Sequence, residues 1–173
     1  SFTRWRYRFS DCDPRAMNTF NRAEAIVDLD RITENVKHLK ALAGVDLMAV
    51  VKADAYGHGL IPVSRAALAG GATSLGVALL EEAIALREAG ITAPILAWLV
   101  PPGSDFKLAV DNQIQLAASS IKALEEIGAV KSEFRPKVHL EVDTGMTRGG
   151  FLDEWGKLDA HHVANLDVVG IFS

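Results

Sequence analysis

A lysine at the end of a short apolar run is the first residue of this sequence whose surroundings suggest chemistry. Residues 46–52 (DLMAVVK) are predicted to form an apolar strand that ends in Lys52. Alternate side chains of a strand point to opposite faces, so Lys52 shares its face with Met48 and Val50. Apolar neighbours disfavour the charged form of an amine. Such a lysine can form a Schiff base with a carbonyl compound; position alone leaves open a lysine that merely points into solvent.

The residues after the lysine predict a tight polar turn. The run KADAYGHG spans residues 52–59, and its glycines at positions 57 and 59 allow a sharp change of direction before the next helix. Tyr56 comes four residues after Lys52, near enough for its hydroxyl to contact a group bound at the lysine. We interpret His58 as a residue of this turn without a catalytic role.

A second polar segment, EVDTGMTRGG over residues 141–150, follows another predicted strand. Alternation along residues 137–143 directs one set of side chains toward the helices and a polar set toward the opposite face of the sheet, which would be the interior of a barrel. The polar set is Lys137, His139, Glu141 and Asp143. Buried charge without partners is costly, so this polar interior favours a binding site at the strand end. Arg148 is the candidate cation of that site. The alternative is a solvated turn with an ordinary surface arginine.

Strand-like and helix-like segments alternate from residue 24 onward. Strands are predicted to begin near residues 46, 75, 95, 114, 137 and 168, with one helix between each pair, which is typical of repeated parallel βαβ units. No Gly-x-Gly-x-x-Gly turn follows the first of them, which disfavours a dinucleotide-binding sheet. A (β/α)8 barrel needs eight units and about 250 residues. We therefore expect an α/β fold, a partial TIM-type barrel with about six of eight strands, or alternatively an open six-stranded parallel sheet.

Several local features accompany this scheme. Asp30 is predicted to cap the first helix, Ser119 or Ser120 to cap a later one, and residues 152–164 to form a helix. Residues 1–23 are expected to be a disordered N-terminal extension, because the regular pattern begins only after Met17. Residues 24–173 then form the incomplete barrel.

Composition excludes some functions. The net charge of −4 gives no sign of nucleic-acid binding, and no apolar run approaches the ~18 residues of a membrane span. One cysteine, Cys12, excludes an intramolecular disulfide and agrees with a cytoplasmic location. His161 and His162 have no partner at metal-binding spacing, so no metal is expected.

The two polar segments resemble the alanine racemase family. AVVKADAYGHG, at residues 49–59, is similar to that family's cofactor-lysine motif, and residues 141–150 are similar to its second signature, centred on Asp-Thr-Gly-Met and an arginine. The resemblance covers nearly all of residues 24–173. It implies a barrel that binds pyridoxal 5'-phosphate.

The resemblance also implies roles for individual residues. Lys52 would hold the cofactor covalently and would remove or return the substrate α-proton on the D-alanine face. Tyr56 would hydrogen-bond the cofactor phosphate, and Arg148 would contact the cofactor's phenolic oxygen and the substrate carboxylate. Many family members have a carbamylated lysine where this chain has Glu141. We therefore hypothesise that the Glu141 carboxylate orients Arg148, loosely or through water because its arm is shorter.

For the whole protein, the resemblance implies a cytoplasmic homodimer that racemises alanine and supplies D-alanine for cell-wall peptidoglycan. The family's β-rich C-terminal domain and its second catalytic base, a tyrosine from the partner subunit, are absent from this sequence. We therefore expect an N-terminal fragment that is inactive alone. The alternatives are a non-catalytic pyridoxal-phosphate-binding barrel, a racemase for another small amino acid such as serine, a barrel aldolase and an inert truncation product.

Overall fold

The computed structural model describes residues 4–7 and 25–173. Its strands are β1 (Arg4–Tyr7), β2 (Ala25–Asp28), β3 (Met48–Val50), β4 (Ser74–Val77), β5 (Ile95–Ala97), β6 (Gln115–Ala118), β7 (Lys137–Glu141) and β8 (Asp167–Phe172). Its helical segments are α1 (Leu29–Ala43), the short turn α2 (Lys52–Gly57), α3 (Leu60–Ala69), α4 (Leu80–Glu88), α5 (Phe106–Asp111) and α6 (Ile121–Gly128). No helix in these described residues is long and apolar enough to cross a membrane.

Strands β3 to β8 form one parallel sheet in which the spatial order equals the sequence order. This arrangement confirms the predicted barrel portion, because a right-handed series of βαβ units adds each strand beside the previous one. The side chains that face the helices are fully buried, as Leu75, Ile95, Leu116 and Val138 show. Strands β3 and β8 are the two edges, and a complete eight-stranded barrel would have two further strands between them.

The first helix of the described barrel begins earlier than the sequence pattern predicted. Asp28, not Asp30, is the N-cap of α1, and its carboxylate accepts a hydrogen bond of 3.1 Å from the Arg31 amide. Strand β2 ends at Asp28, and the buried Leu29 is already helical. Asp28 is therefore the residue whose side chain can accept from the free amides of the first helical turn. The other predicted cap is at Ser120, whose hydroxyl accepts from the Ala123 amide.

The helix predicted over residues 152–164 is wrong. A 3₁₀ turn at Trp155–Lys157 and further turns occupy this segment. The Asp159 carboxylate accepts hydrogen bonds from the amides of His161, at 2.9 Å, and His162, at 3.3 Å. These local bonds compete with helical ones, and Gly156 weakens the helix further.

The predicted N-terminal extension lies mostly outside the described residues, which omit 1–3 and 8–24. Its residues 4–7 form β1, which pairs with β2 in an antiparallel ladder that joins Arg4 to Asp28 and Tyr7 to Ala25. The sequence pattern did not predict this strand.

A single arginine connects the loops at the amino ends of β5 and β6 through hydrogen bonds. The guanidinium of Arg87 donates hydrogen bonds of 2.7 to 3.1 Å to four backbone carbonyls, those of Ile91, Ala93, Asn112 and Gln113. The fork-like donor set of arginine suits several acceptors at once. Arg87 therefore stabilises the barrel at the end opposite to the strand ends described next.

Candidate functional site

The candidate catalytic residues follow the carboxyl ends of two parallel strands. Strand β3 ends at Val50, two residues before Lys52, and β7 ends at Glu141, before the loop that carries Arg148. Parallel strands present their carboxyl ends at the same edge of a sheet, and barrel enzymes place their active sites there. Lys52 and Arg148 therefore lie at the same end of the barrel portion, after its first and fifth strands.

The turn that contains Lys52 has an unusual backbone. Four successive residues without glycine, at positions 53–56, have φ between 52° and 55° and ψ between 39° and 53°, which is a left-handed helical turn. This conformation costs roughly 1–2 kcal/mol per L-residue relative to the right-handed one. Sequence reasoning predicted a turn made by the glycines, whereas alanine, aspartate and tyrosine also adopt positive φ. Surrounding contacts must therefore maintain the turn.

Specific hydrogen bonds hold this left-handed turn. The Ala55 amide donates to the Val51 carbonyl at 2.8 Å, and the Leu60 amide donates to the Asp54 carboxylate at 2.6 Å. The Ala53 amide donates to Glu82 Oε1 at 2.5 Å. Ala55 is buried, so its methyl group anchors the turn in the core. The contact with Glu82 was missed from the sequence, because 29 residues separate the two partners.

The amine of Lys52 lies beside two aromatic rings. Its Nζ atom is 5.8 Å from the centroid of the Tyr56 ring and 5.9 Å from that of Trp98, which follows β5. Both separations are within the range of cation–π attraction. The left-handed turn brings Tyr56 to this position, and 62% of the tyrosine is exposed. The structure thus brings together two residues that the sequence singled out, and Trp98 lies beside them.

Gly76 makes room for that tryptophan. Gly76 lies on β4, between β3 and β5, and a Cβ atom there would approach Sδ of Met48 to 3.0 Å as well as crowding the indole of Trp98. Sequence reasoning did not select Gly76, since a lone glycine in a strand has no distinctive pattern. It allows close approach of neighbours across the sheet interior.

The loop that carries Arg148 is closed by backbone bonds at its base. The Phe151 amide donates to the Glu141 carbonyl at 2.7 Å, and the Asp143 amide donates to the Phe151 carbonyl at 3.0 Å. Within the loop, Asp143 Oδ1 accepts from the amides of Gly145, at 2.8 Å, and Thr147, at 3.0 Å. These bonds, that from Thr147 foremost, lower the pKa of the Asp143 carboxyl below its usual value of 3.8. Asp143 thus orders the loop.

Glu141 lies under this loop. A Cβ atom at Gly149, next to Arg148 in sequence, would be 3.3 Å from Glu141 Oε1, so the carboxylate lies against the loop backbone. Arg148 is exposed. Within residues 25–173, no hydrogen bond or ion pair joins Arg148 to Glu141 or to Lys52. The Glu141 carboxylate therefore lies against the loop backbone at Gly149, the residue after Arg148, and not in a direct bond with the arginine side chain.

A half-buried histidine lies further inside the barrel. His139 Nε2 is 2.7 Å from Gln115 Oε1 on the neighbouring strand, and since the amide oxygen only accepts, Nε2 donates. Burial lowers the pKa of His139 from its usual 6.5. Gly170 on β8 accommodates the ring, because a Cβ atom there would be 2.3 Å from His139 Nδ1. Among the polar side chains that were predicted to line the interior along β7, His139 is thus packed against the two neighbouring strands.

Two of the other histidines have structural partners. His58 Nδ1 is 3.1 Å from the carbonyls of both Ala55 and Tyr56, so it belongs to the left-handed turn, as predicted. His162 is 2.8 Å from the Asp159 carboxylate. Among the residues that the structure describes, no group of three or more His, Cys, Asp or Glu side chains could hold a metal ion.

Comparison with known proteins identifies relatives of this chain. The family described as alanine racemase, N-terminal domain, matches residues 27–173. The alanine racemase of Mycolicibacterium smegmatis is 53% identical over 131 residues, which are 74% of this chain and 34% of that protein. The alanine racemase of Beutenbergia cavernae is 49% identical over 160 residues, which are 87% of this chain and 42% of that protein.

Solved structures agree with these sequence matches. Alanine racemase from D-cycloserine-producing Streptomyces lavendulae superposes with a TM-score of 0.79 at 39% identity, covering 83% of this chain and 40% of that one. Alanine racemase from Corynebacterium glutamicum superposes with a TM-score of 0.78 at 38% identity, covering 83% of this chain and 43% of that one. This chain thus spans less than half the length of each of these relatives. The chain belongs to the alanine racemase family and corresponds to its N-terminal domain.

Proposed function

We propose that this chain provides the cofactor-binding lysine and the substrate-binding arginine of a pyridoxal-phosphate-dependent alanine racemase. The observation that carries the proposal is the placement of the Lys52 amine, at the carboxyl end of the first barrel strand and beside two aromatic rings. Because the chain spans only 34% of the Mycolicibacterium smegmatis relative, turnover is proposed for a protein that also has the remaining part.

The residues around Lys52 fit pyridoxal phosphate. An amine in partly buried surroundings is suited to condense with an aldehyde, and the half-buried Lys52 meets this requirement. The aromatic faces of Tyr56 and Trp98 give an apolar surface for a flat heteroaromatic ring. The exposed phenol of Tyr56 can donate a hydrogen bond to a phosphate oxygen.

The chain's own residues then have distinct tasks. When bound, the cofactor withdraws electrons from the substrate α-carbon, which makes its proton removable. The Lys52 amine moves that proton on the D-alanine face. The Arg148 guanidinium binds the substrate carboxylate and the cofactor's phenolic oxygen, because a planar, permanently charged fork matches two oxygens.

Glu141 is the proposed orienting group for Arg148. Its carboxylate lies 3.3 Å from the position of a Cβ on Gly149, directly beside the residue it would orient. A reorientation of the exposed Arg148 side chain, or a bridging water, would be needed to form the contact. Attraction of opposite charges would then favour the arginine conformation that faces the substrate.

We also propose, for the complete protein, the oligomeric state, location and role that its family implies. It would be a homodimer in the cytoplasm, with a small amino acid as its substrate, and it would supply D-alanine for peptidoglycan. The partner subunit would contribute the second base.

The cofactor proposal can be tested on the chain itself. Incubation with micromolar pyridoxal phosphate, followed by borohydride reduction and peptide mass spectrometry, should label Lys52 at least tenfold more than the exposed Lys122. Lys52→Arg should abolish this label, whereas Lys122→Arg should leave it unchanged. Equal labelling of the two lysines would refute the proposal that Lys52 binds the cofactor.

The activity needs a longer protein. Fusion of this chain to the part of the Mycolicibacterium smegmatis alanine racemase that it does not cover should racemise alanine in a coupled D-alanine assay, and the chain alone should not. If the fusion were folded and labelled at Lys52 but racemised serine and not alanine, the substrate assignment would be wrong. Labelling without any racemisation would favour a cofactor-binding barrel without turnover.

A further inference from the structure

The carboxylate of Glu82 joins the lysine turn to the next βα unit. Oε1 accepts from the Ala53 amide at 2.5 Å, and Oε2 accepts from the amides of Ala78 and Leu79, both at 3.0 Å. Glu82 lies in the first turn of α4, so its bonds to residues 78 and 79 cap that helix. The bond to Ala53 belongs to a different segment, 29 residues earlier in the chain.

The position of that bond makes it relevant to the lysine. The Ala53 nitrogen is part of the peptide group formed with the carbonyl of Lys52, so fixing this nitrogen fixes the backbone from which the lysine side chain extends. Ala53 is also the first of the four residues with positive φ. A left-handed turn of L-residues persists only where its surroundings overdetermine it. The bond from Ala53 acts at the point where the chain enters this conformation.

The neighbouring strand ends make the contact possible. The Val51 amide donates to the Gly76 carbonyl at 2.8 Å, which aligns the end of β3 with the end of β4. The chain then turns into α4, and the half-buried Glu82 points back across both strand ends. Both oxygens are used as acceptors, and only a carboxylate offers two acceptor oxygens at this length.

We infer that Glu82 is a positioning residue, whose carboxylate holds the left-handed turn so that the Lys52 amine stays at the cofactor site. The inference rests on the proposed role of Lys52. It names the Glu82 carboxylate as the group that stabilises the left-handed turn. A role limited to capping α4 would need only the bonds to Ala78 and Leu79. The bond to Ala53 provides the additional, positioning role.

Two variants separate these roles. Glu82→Gln keeps the size but leaves one acceptor oxygen, which satisfies more donors at the two cap amides; the amide NH2 group then faces the Ala53 amide, and the Ala53 bond is lost. Glu82→Asp keeps the charge and can still cap the helix, but its shorter arm withdraws from Ala53. Glu81→Gln is the matched control, because Glu81 is exposed, lies in the same helical turn and loses the same charge.

Amide hydrogen exchange of the 173-residue chain tests the inference without cofactor. We expect peptides that cover residues 52–59 to exchange about tenfold faster in Glu82→Gln and Glu82→Asp than in the parent, and Glu81→Gln to match the parent. Glu82→Asp should retain the parent exchange rate in α4. Faster exchange of residues 52–59 in this variant could then not be attributed to a general loss of structure, which Glu82→Gln alone would leave open. Unchanged exchange of residues 52–59 in a folded Glu82→Asp chain would overturn the inference.

Cofactor capture then connects the turn to the lysine. Borohydride-trapped pyridoxal phosphate at Lys52, measured relative to Lys122, should fall at least fivefold in both Glu82 variants and stay constant in Glu81→Gln. Faster exchange together with undiminished capture at Lys52 would also overturn the positioning role. Absence of selective capture in the parent would defeat the proposed function instead, while the exchange experiment would still decide whether Glu82 holds the turn.

Discussion

Trp98 lies so close to Gly76 that a Cβ atom on residue 76 would stand 2.8 Å from Cζ3 of the indole. Real Cβ atoms do not approach other atoms this closely. The glycine on β4 therefore determines how the indole lies over the strand, and the indole in turn is one of the two rings beside the Lys52 amine.

Gly76→Ala is expected to displace Trp98 and to disturb the site of Lys52. Overpacking of this kind costs about 1–3 kcal/mol, which urea unfolding would measure as a lower midpoint. Capture of pyridoxal phosphate at Lys52 should also weaken. Gly128→Ala is the control, since a Cβ there would meet Leu166 at an ordinary 3.7 Å. Equal stability and equal capture in both variants would contradict the role given to Gly76.

Arg87 is expected to contribute more to stability than exposed arginines do. Arg87→Met would leave four backbone carbonyls without their donor, and we expect the free energy of unfolding to fall by about 1–3 kcal/mol. Arg31→Met removes only an exposed ion pair with Glu34, and such pairs contribute about 0–1 kcal/mol. Urea denaturation of both variants makes the comparison. Similar losses would show that the carbonyl contacts of Arg87 contribute little.

His139 is expected to make stability depend on pH. Its folded-state pKa is below the ordinary value of 6.5, so the unfolded chain takes up a proton first as the pH falls. Its contribution to the free energy of unfolding is therefore complete above pH 6.5 and declines from there toward the lowered pKa. Gln115 on β6 and Gly170 on β8 face the ring and carry no charge; Lys137 and Glu141 are the flanking charges on its own strand.

Thermal unfolding between pH 7.5 and pH 5 would test this expectation. His139→Gln should flatten the decline of Tm with falling pH, whereas His38→Gln, at an exposed position on α1, should retain the parent profile. Parallel profiles for the parent and His139→Gln would contradict the prediction.

Glu141→Gln is expected to weaken substrate binding in the active fusion protein. Loss of the carboxylate charge beside the Arg148 loop should raise KM for alanine several-fold with a smaller change in kcat, because the arginine would be less well oriented for the substrate carboxylate. Glu133→Gln, at an exposed position before β7, should leave both constants unchanged. Unaltered kinetics in Glu141→Gln would remove the orienting role.

Much of the barrel could be predicted from local pattern. Alternating strands and helices of regular length indicated six parallel strands, because each unit carries its own apolar periodicity. Lys52 could be placed at a strand end from the apolar run before it, and Tyr56 beside it from the turn. The cap at Ser120 was also foreseeable. The helix expected at residues 152–164 failed because Asp159 forms local bonds that apolar periodicity does not register.

The sequence by itself determined the class of fold, the strand-end position of Lys52 and the polar loop around Arg148, since these depend on residue type and short-range spacing. Only the tertiary structure decided the left-handed conformation of residues 53–56, which local preferences oppose. It likewise decided the bond from Ala53 to Glu82 and the room that Gly76 leaves for Trp98. These contacts join residues far apart in the chain, and they form only when packing of neighbouring βα units brings the strand ends together.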